Sequence, residues 1–112
     1  MKLLPALLLA AVEAHAARLA TPPHLISGSI AHSDYPKAAL KGDMQGRVEA
    51  LLTINEKGIV SSCTISRSSG HRLLDDTTCR LVLARFRFDP ARNAEERPVA
   101  TRAVLPVDWM IP

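Results

Sequence analysis

The side chains of this chain with the means to do chemistry are four histidines, two cysteines and a cluster of serines. His15, His24, His32 and His71 are scattered, without the short spacings or companion ligands that a metal ion needs. They read as solvated or capping groups, and no metal site is expected. Ser66, Ser68 and Ser69 lie close to His71 and Asp75, a mixture that could suit a hydrolase. No G-x-S-x-G turn places a nucleophile between a strand and a helix, however. The serines read as turn formers, and neither catalysis nor a cofactor is expected. Cys63 and Cys79 lack the C-x-x-C spacing and the helix-start setting of a redox pair. Arg80, Arg85, Arg87, Arg92 and Arg97 read either as a solvated face or as a basic surface for lipid headgroups or a receptor's rim.

Length limits what can position these groups. With 112 residues there is room for one small domain, and with only 4% aromatics its core must be aliphatic and thin. Met1 to Ala16 has the form of a secretory signal. Lys2 supplies its charge, Leu3 to Val12 its apolar run, and Ala14-His15-Ala16 a small-x-small cleavage site. The run is about half the ~20 residues of a membrane span, so a cleaved signal is expected over an uncleaved anchor to the inner membrane, and a stable span is not expected. Export to an oxidising compartment favours a Cys63–Cys79 disulfide over free thiols. The net charge of +3 is mild and does not call for nucleic acid as a partner.

Ala17 to Ser33 shows no sustained period and reads as an irregular leader spanning at most about 55 Å. A short helix is expected from Asp34 to Lys41, capped by Ser33 or Asp34, with Pro36 in its first turn and Gly42 as its stop. Val48, Ala50, Leu52 and Ile54 alternate with polar residues, Asn55 to Gly58 make a turn, and Ile59, Val60, Cys63 and Ile65 resume. That is a β-hairpin with one apolar face, and it needs a cover. A helix from about Leu73 to Arg87, with Leu74, Cys79, Val82, Leu83 and Phe86 on one stripe, supplies it. Cys63 and Cys79 both fall on inward positions, so a disulfide would stitch cover to hairpin. Ala91 to Pro98 reads as a charged loop. Thr101 to Met110 returns to strand period, with Ala103, Leu105, Val107 and Trp109 on one parity. Pro106 cannot donate to a ladder, which puts this strand at a sheet edge.

The expected fold is therefore α+β: a small three-stranded antiparallel sheet with two helices on one face, in the order helix, strand, strand, helix, strand, with one disulfide. Several letters along that order carry a resemblance: Tyr35-Pro36 before the first helix, Gly46 and Gly58 in the hairpin, Phe86-x-Phe88-x-Pro90 after the second helix, and Trp109 ending the last strand. From about Ser33 to Pro112 the chain resembles the C-terminal domain of the TonB family, the periplasmic end of energy transducers for outer-membrane transport. The cysteine pair also resembles a subgroup of such domains.

The resemblance implies a domain over Asp34 to Pro112 that binds an extended peptide, the TonB box of an outer-membrane receptor, as an added strand. On this sequence the matching edge is Arg102, Val104, Pro106, Asp108 and Met110, with Pro106 leaving a gap in the donors. The chain departs from a full transducer in its short apolar run and in having only Pro22 and Pro23 in its leader. A free periplasmic domain is expected. The alternative is a structural role, as an edge-paired homodimer or a subunit of an envelope complex. Trp109 reads as core by parity and as a partner anchor by residue type.

Overall fold

The computed structural model describes residues 20–112. The proposed signal and the first residues of the leader lie outside the described residues. Three strands form the main sheet: β2 (Gly46–Ile54), β3 (Val60–Arg67) and β7 (Thr101–Trp109), in the order β3-β2-β7 and antiparallel throughout. α1 (Lys37–Lys41) and α2 (Arg72–Arg85) complete the expected α+β arrangement. Val48, Ala50, Leu52 and Ile54 on β2 are fully buried and pack with Leu74, Leu81 and Val82 of α2. The Cys63–Cys79 disulfide is formed, with Cα atoms 5.6 Å apart, and ties β3 to α2.

The turn between β2 and β3 shows why the sequence specifies a hairpin here. Asn55 accepts the backbone N–H groups of Lys57 and Ile59 on its side-chain oxygen, and Gly58 turns the chain at φ +81°. Any side chain at Gly58 would collide with the Phe88 carbonyl, so glycine is required for space as well as for conformation.

Inward parity on β3 differs from the expected one. Val60 is buried, whereas Ile59 is 41% exposed and stands outside the strand. The cause is a bulge. Thr53 pairs with Ser62 and Ile54 with Val60, so Ser61 is an extra residue that shifts the face by one. A second bulge at Ser66 lies between the Ala50–Ile65 and Glu49–Arg67 pairs.

The covering helix is shorter than expected and turned differently. It ends at Arg85, and Phe86 is already extended at ψ 135°. Phe86 and Phe88 are both buried while Arg87 between them is exposed, which is strand parity and not helix parity. Arg87–Asp89 is accordingly strand β4. Leu83 is 43% exposed, because nine residues after Leu74 amount to about two and a half turns and place it opposite. The buried stripe instead includes Thr77, Thr78 and Leu81. The two threonine hydroxyls donate to the carbonyls of Leu73 and Leu74, so burial leaves them satisfied.

α1 starts at Lys37 and not at Asp34. Tyr35 precedes a proline and is held extended, at φ −63° and ψ 123°, leaving only a 3-10 turn at His32–Asp34 before it. Pro36 becomes the N-cap residue. Part of the leader is also ordered as a strand: β1 (His24–Ser27) pairs antiparallel with β4. Within the expected loop, β5 (Ala91–Arg92) and β6 (Pro98–Val99) form a small hairpin. These strands are too short to show a period in the sequence.

Asp75, 7% exposed, anchors the start of α2. Burial alone would raise its carboxyl, but hydrogen bonds from the Ser68 and Ser69 hydroxyls and the Ser69 N–H outweigh it and hold the group below its ordinary value. A lowered folded-state value means stability that is present at neutral pH and lost as pH falls through that value. Asp75→Asn should therefore cost about 1–3 kcal/mol at pH 7, and the gap to wild type should narrow below about pH 4; urea midpoints across pH check both. Removing both cysteines, as Cys63→Ala with Cys79→Ala, should cost about 3 kcal/mol in the same assay, the chain-entropy value for a loop of roughly this length.

Candidate functional site

The candidate site is the free side of β7. Its register against β2 runs without a bulge from Gly46–Trp109 to Ile54–Thr101. Which backbone groups point outward follows from two serines on the far side of β2. Ser66 Oγ donates to the Glu49 carbonyl at 3.0 Å and Ser61 Oγ to the Thr53 carbonyl at 3.3 Å. Glu49 and Thr53 therefore direct their peptide groups toward β3, and by alternation Val48, Ala50, Leu52 and Ile54 direct theirs toward β7. Their partners Val107, Leu105, Ala103 and Thr101 make the ladder bonds. Arg102, Val104, Pro106 and Asp108 form the non-hydrogen-bonded pairs, and their peptide groups face outward.

Pro106 fits this register because its partner, Glu49, needs nothing from it. The open edge thus offers the N–H and C=O of Arg102, Val104 and Asp108, but only the carbonyl of Pro106. Met110 lies one residue beyond the strand, 64% exposed, and the chain there is held by the Ile111 N–H donating to the Gln45 side chain at 2.9 Å. The side chains of Arg102, Val104, Pro106 and Asp108 are exposed on the face away from the helices. Asp108 is paired across the ladder with Arg47 at 2.8 Å. That pair holds the Asp108 carboxyl below its ordinary range.

The other rim of the main sheet is closed in several ways. β3 carries the two serine bulges, and β4 lies against its start through the Ile59–Arg87 bridge and the Phe88 N–H to Gly58 carbonyl bond of 2.9 Å. Bulges and a short covering strand both spoil an edge as a template. β7 has neither.

A groove of 270 Å³ opens beside the C-terminal half of β7. Val107, Asp108, Trp109 and Met110 form one wall; Ile30, Ala31, His32 and Tyr35 form the other. The polar atoms of its aromatic lining are already used. Trp109 Nε1 donates to Thr78 Oγ1 at 2.9 Å, Tyr35 donates its hydroxyl to the Met44 carbonyl, and the two rings meet edge to face at 5.1 Å. The rest of the lining is mixed, with the hydrocarbon of Ile30 and Val107 beside the polar side chains of His32 and Asp108. Trp109 is 3% exposed, so it is core and not an exposed anchor. The leader wall is fixed by Arg85, which donates to both carboxylate oxygens of Asp34 at 2.7 and 2.8 Å and to the Ser29 carbonyl at 3.2 Å. The Arg85 guanidinium, with the Ala31 N–H, lowers the Asp34 carboxyl to about 2.

The residues that carry the family resemblance build the scaffold and do not form the open edge. Phe86 and Phe88 are buried in the core, and Pro36 caps α1. Gly46 leaves room for the Ser69 carbonyl, and Pro90 lies beside Gly58. Tyr35 and Trp109 among them reach the groove. Sequence reasoning missed Ile30, Ala31 and His32 as groove residues, because only tertiary packing brings the leader there. Among the described residues His24, His32 and His71 form no cluster, and no group of side chains suited to a metal ion occurs there. No helix among them is long and apolar enough to cross a membrane.

A comparison with curated proteins gave no match. The family model for the Gram-negative bacterial TonB protein C-terminal region matches residues 31–111. That span includes both helices, the whole main sheet and the free edge of β7, and the chain belongs to the TonB C-terminal domain family.

Proposed function

We propose that this domain recognises an extended peptide, the TonB box of an outer-membrane receptor, by pairing it with β7 as a fourth strand of the main sheet. Domains of the family are non-catalytic modules linked to envelope transport and are periplasmic in Gram-negative bacteria. The observation that carries the finer reading is the uninterrupted register of β7 with the outward peptide groups of Arg102, Val104 and Asp108. An added strand gains affinity from main-chain bonds and selectivity from pockets for alternate side chains. The groove between Val107–Met110 and Ile30–Tyr35 is placed to take one such side chain. At 270 Å³ it lies at or below the size of sites that enclose a free small molecule, roughly 300–1,000 Å³. Its mixed lining, with His32 and Asp108 beside Ile30 and Val107, suits a side chain that carries both an apolar stem and a polar group.

The basic residues fit a solvated surface better than a docking face. Arg85, Arg87 and Arg92 each donate to acceptors within the chain, to Asp34, the Phe86 carbonyl and Asp89 respectively.

Titration of a receptor TonB-box peptide into 15N-labelled protein checks the proposal. Chemical-shift changes should concentrate at Arg102, Val104 and Asp108, with smaller ones at the groove residues Ala31 and His32. Val104→Pro removes one outward donor while sparing the ladder to β2, and should weaken binding by roughly 2- to 12-fold. Shifts confined to the helices, or none, would contradict strand addition.

A further inference from the structure

An edge able to pair with a foreign peptide is also able to pair with its own copy. Side-chain charge does not prevent this here. Two β7 strands laid antiparallel and centred on Leu105 would place Arg102 of each against Asp108 of the other, an attractive match. β7 carries no bulge, and its outward side is uncovered by any other described strand. Pro106 is the single interruption along it.

We infer that Pro106 is a selectivity device, one that sets the β7 edge against a second copy of this chain and in favour of a peptide partner; the choice of edge rests on the strand-addition reading above. A peptide beside β7 meets one Pro106, so one of its carbonyls lacks an N–H partner. A two-fold pair of β7 strands contains Pro106 twice. In any register that brings both prolines into the shared ladder, each copy fails to donate, and two carbonyls go unpaired. Registers that leave the prolines outside the ladder shorten it, because only Arg102 and Val104 then remain on that side within the strand. Symmetry therefore doubles the loss for self-pairing while a peptide incurs it once.

The same position is harmless to the fold. Pro106 sits opposite Glu49 in a non-hydrogen-bonded pair, and the Glu49 carbonyl already accepts from Ser66. Its side chain is exposed. Replacing it changes what the edge shows outward and leaves the β2–β7 ladder as it is.

The experiment compares wild type with Pro106→Ala and, as a stronger strand former, Pro106→Val. Sedimentation equilibrium without peptide measures self-association, and titration with a TonB-box peptide measures binding. Restoring one donor should tighten the peptide complex by roughly 2- to 12-fold. Restoring two should strengthen the dimer by the square of that factor, roughly 4- to 140-fold. Trp109 fluorescence and urea midpoints confirm that each variant is folded, and Pro106→Val decides the matter if Pro106→Ala is not. Variants that self-associate no more strongly than wild type would overturn the inference, as would a gain in peptide affinity equal to or larger than the gain in dimerisation. If no peptide binds any of the chains while the variants dimerise, the strand-addition reading fails and the effect on self-pairing stands.

Discussion

The outward peptide groups of β7 have no partner strand among the described residues, and the strand-addition proposal rests on this one constraint. β2 is saturated on both sides, by β3 and by β7. β3 spends its own free side on bulges and on the approach of β4. Among the described strands of the main sheet, β7 alone remains as a regular template. A row of N–H and C=O groups held at strand spacing can pair with water or with another strand, and pairing with a strand requires no reactive side chain.

Such a template is useful only if it is rigid, and much of the structure holds it so. Trp109 closes the C-terminal end of β7 against α2 through Thr78, and Tyr35 packs edge-on against the same indole. The disulfide fixes α2 to β3, so the helix that supports Trp109 is tied to the opposite rim of the sheet. Ile30 packs against both halves of the core, and the Arg85–Asp34 contact fastens the leader around it. Ordering the edge in advance lowers the conformational freedom that the domain itself would lose on adding a strand.

The hairpin, its Gly58 turn, the edge position of β7 and the outward parity of Arg102, Val104 and Asp108 were legible in the sequence, because each depends on a local rule. Strand alternation and the missing donor of proline act within a few residues. The bulge at Ser61 was not legible: a serine in a strand reads as an ordinary polar position until its partner strand is known. Nor were β1 and β4, whose pairing joins segments some sixty residues apart with no alternation in either. The buried face of α2 was misread because Thr77 and Thr78 look polar, and only their bonds to the preceding turn make them suitable for the core. The groove depends on Ile30 and His32, which come from a stretch without any period.

The claim at the centre of this account is that alternate peptide groups of β7 face outward and are free. Amide hydrogen exchange of the unliganded protein, resolved by residue along Thr101–Trp109, tests it most directly. Alternation is predicted: rapid exchange at Arg102, Val104 and Asp108, and strong protection at Ala103, Leu105, Val107 and Trp109. Uniform protection along the strand, or uniformly rapid exchange, would contradict it.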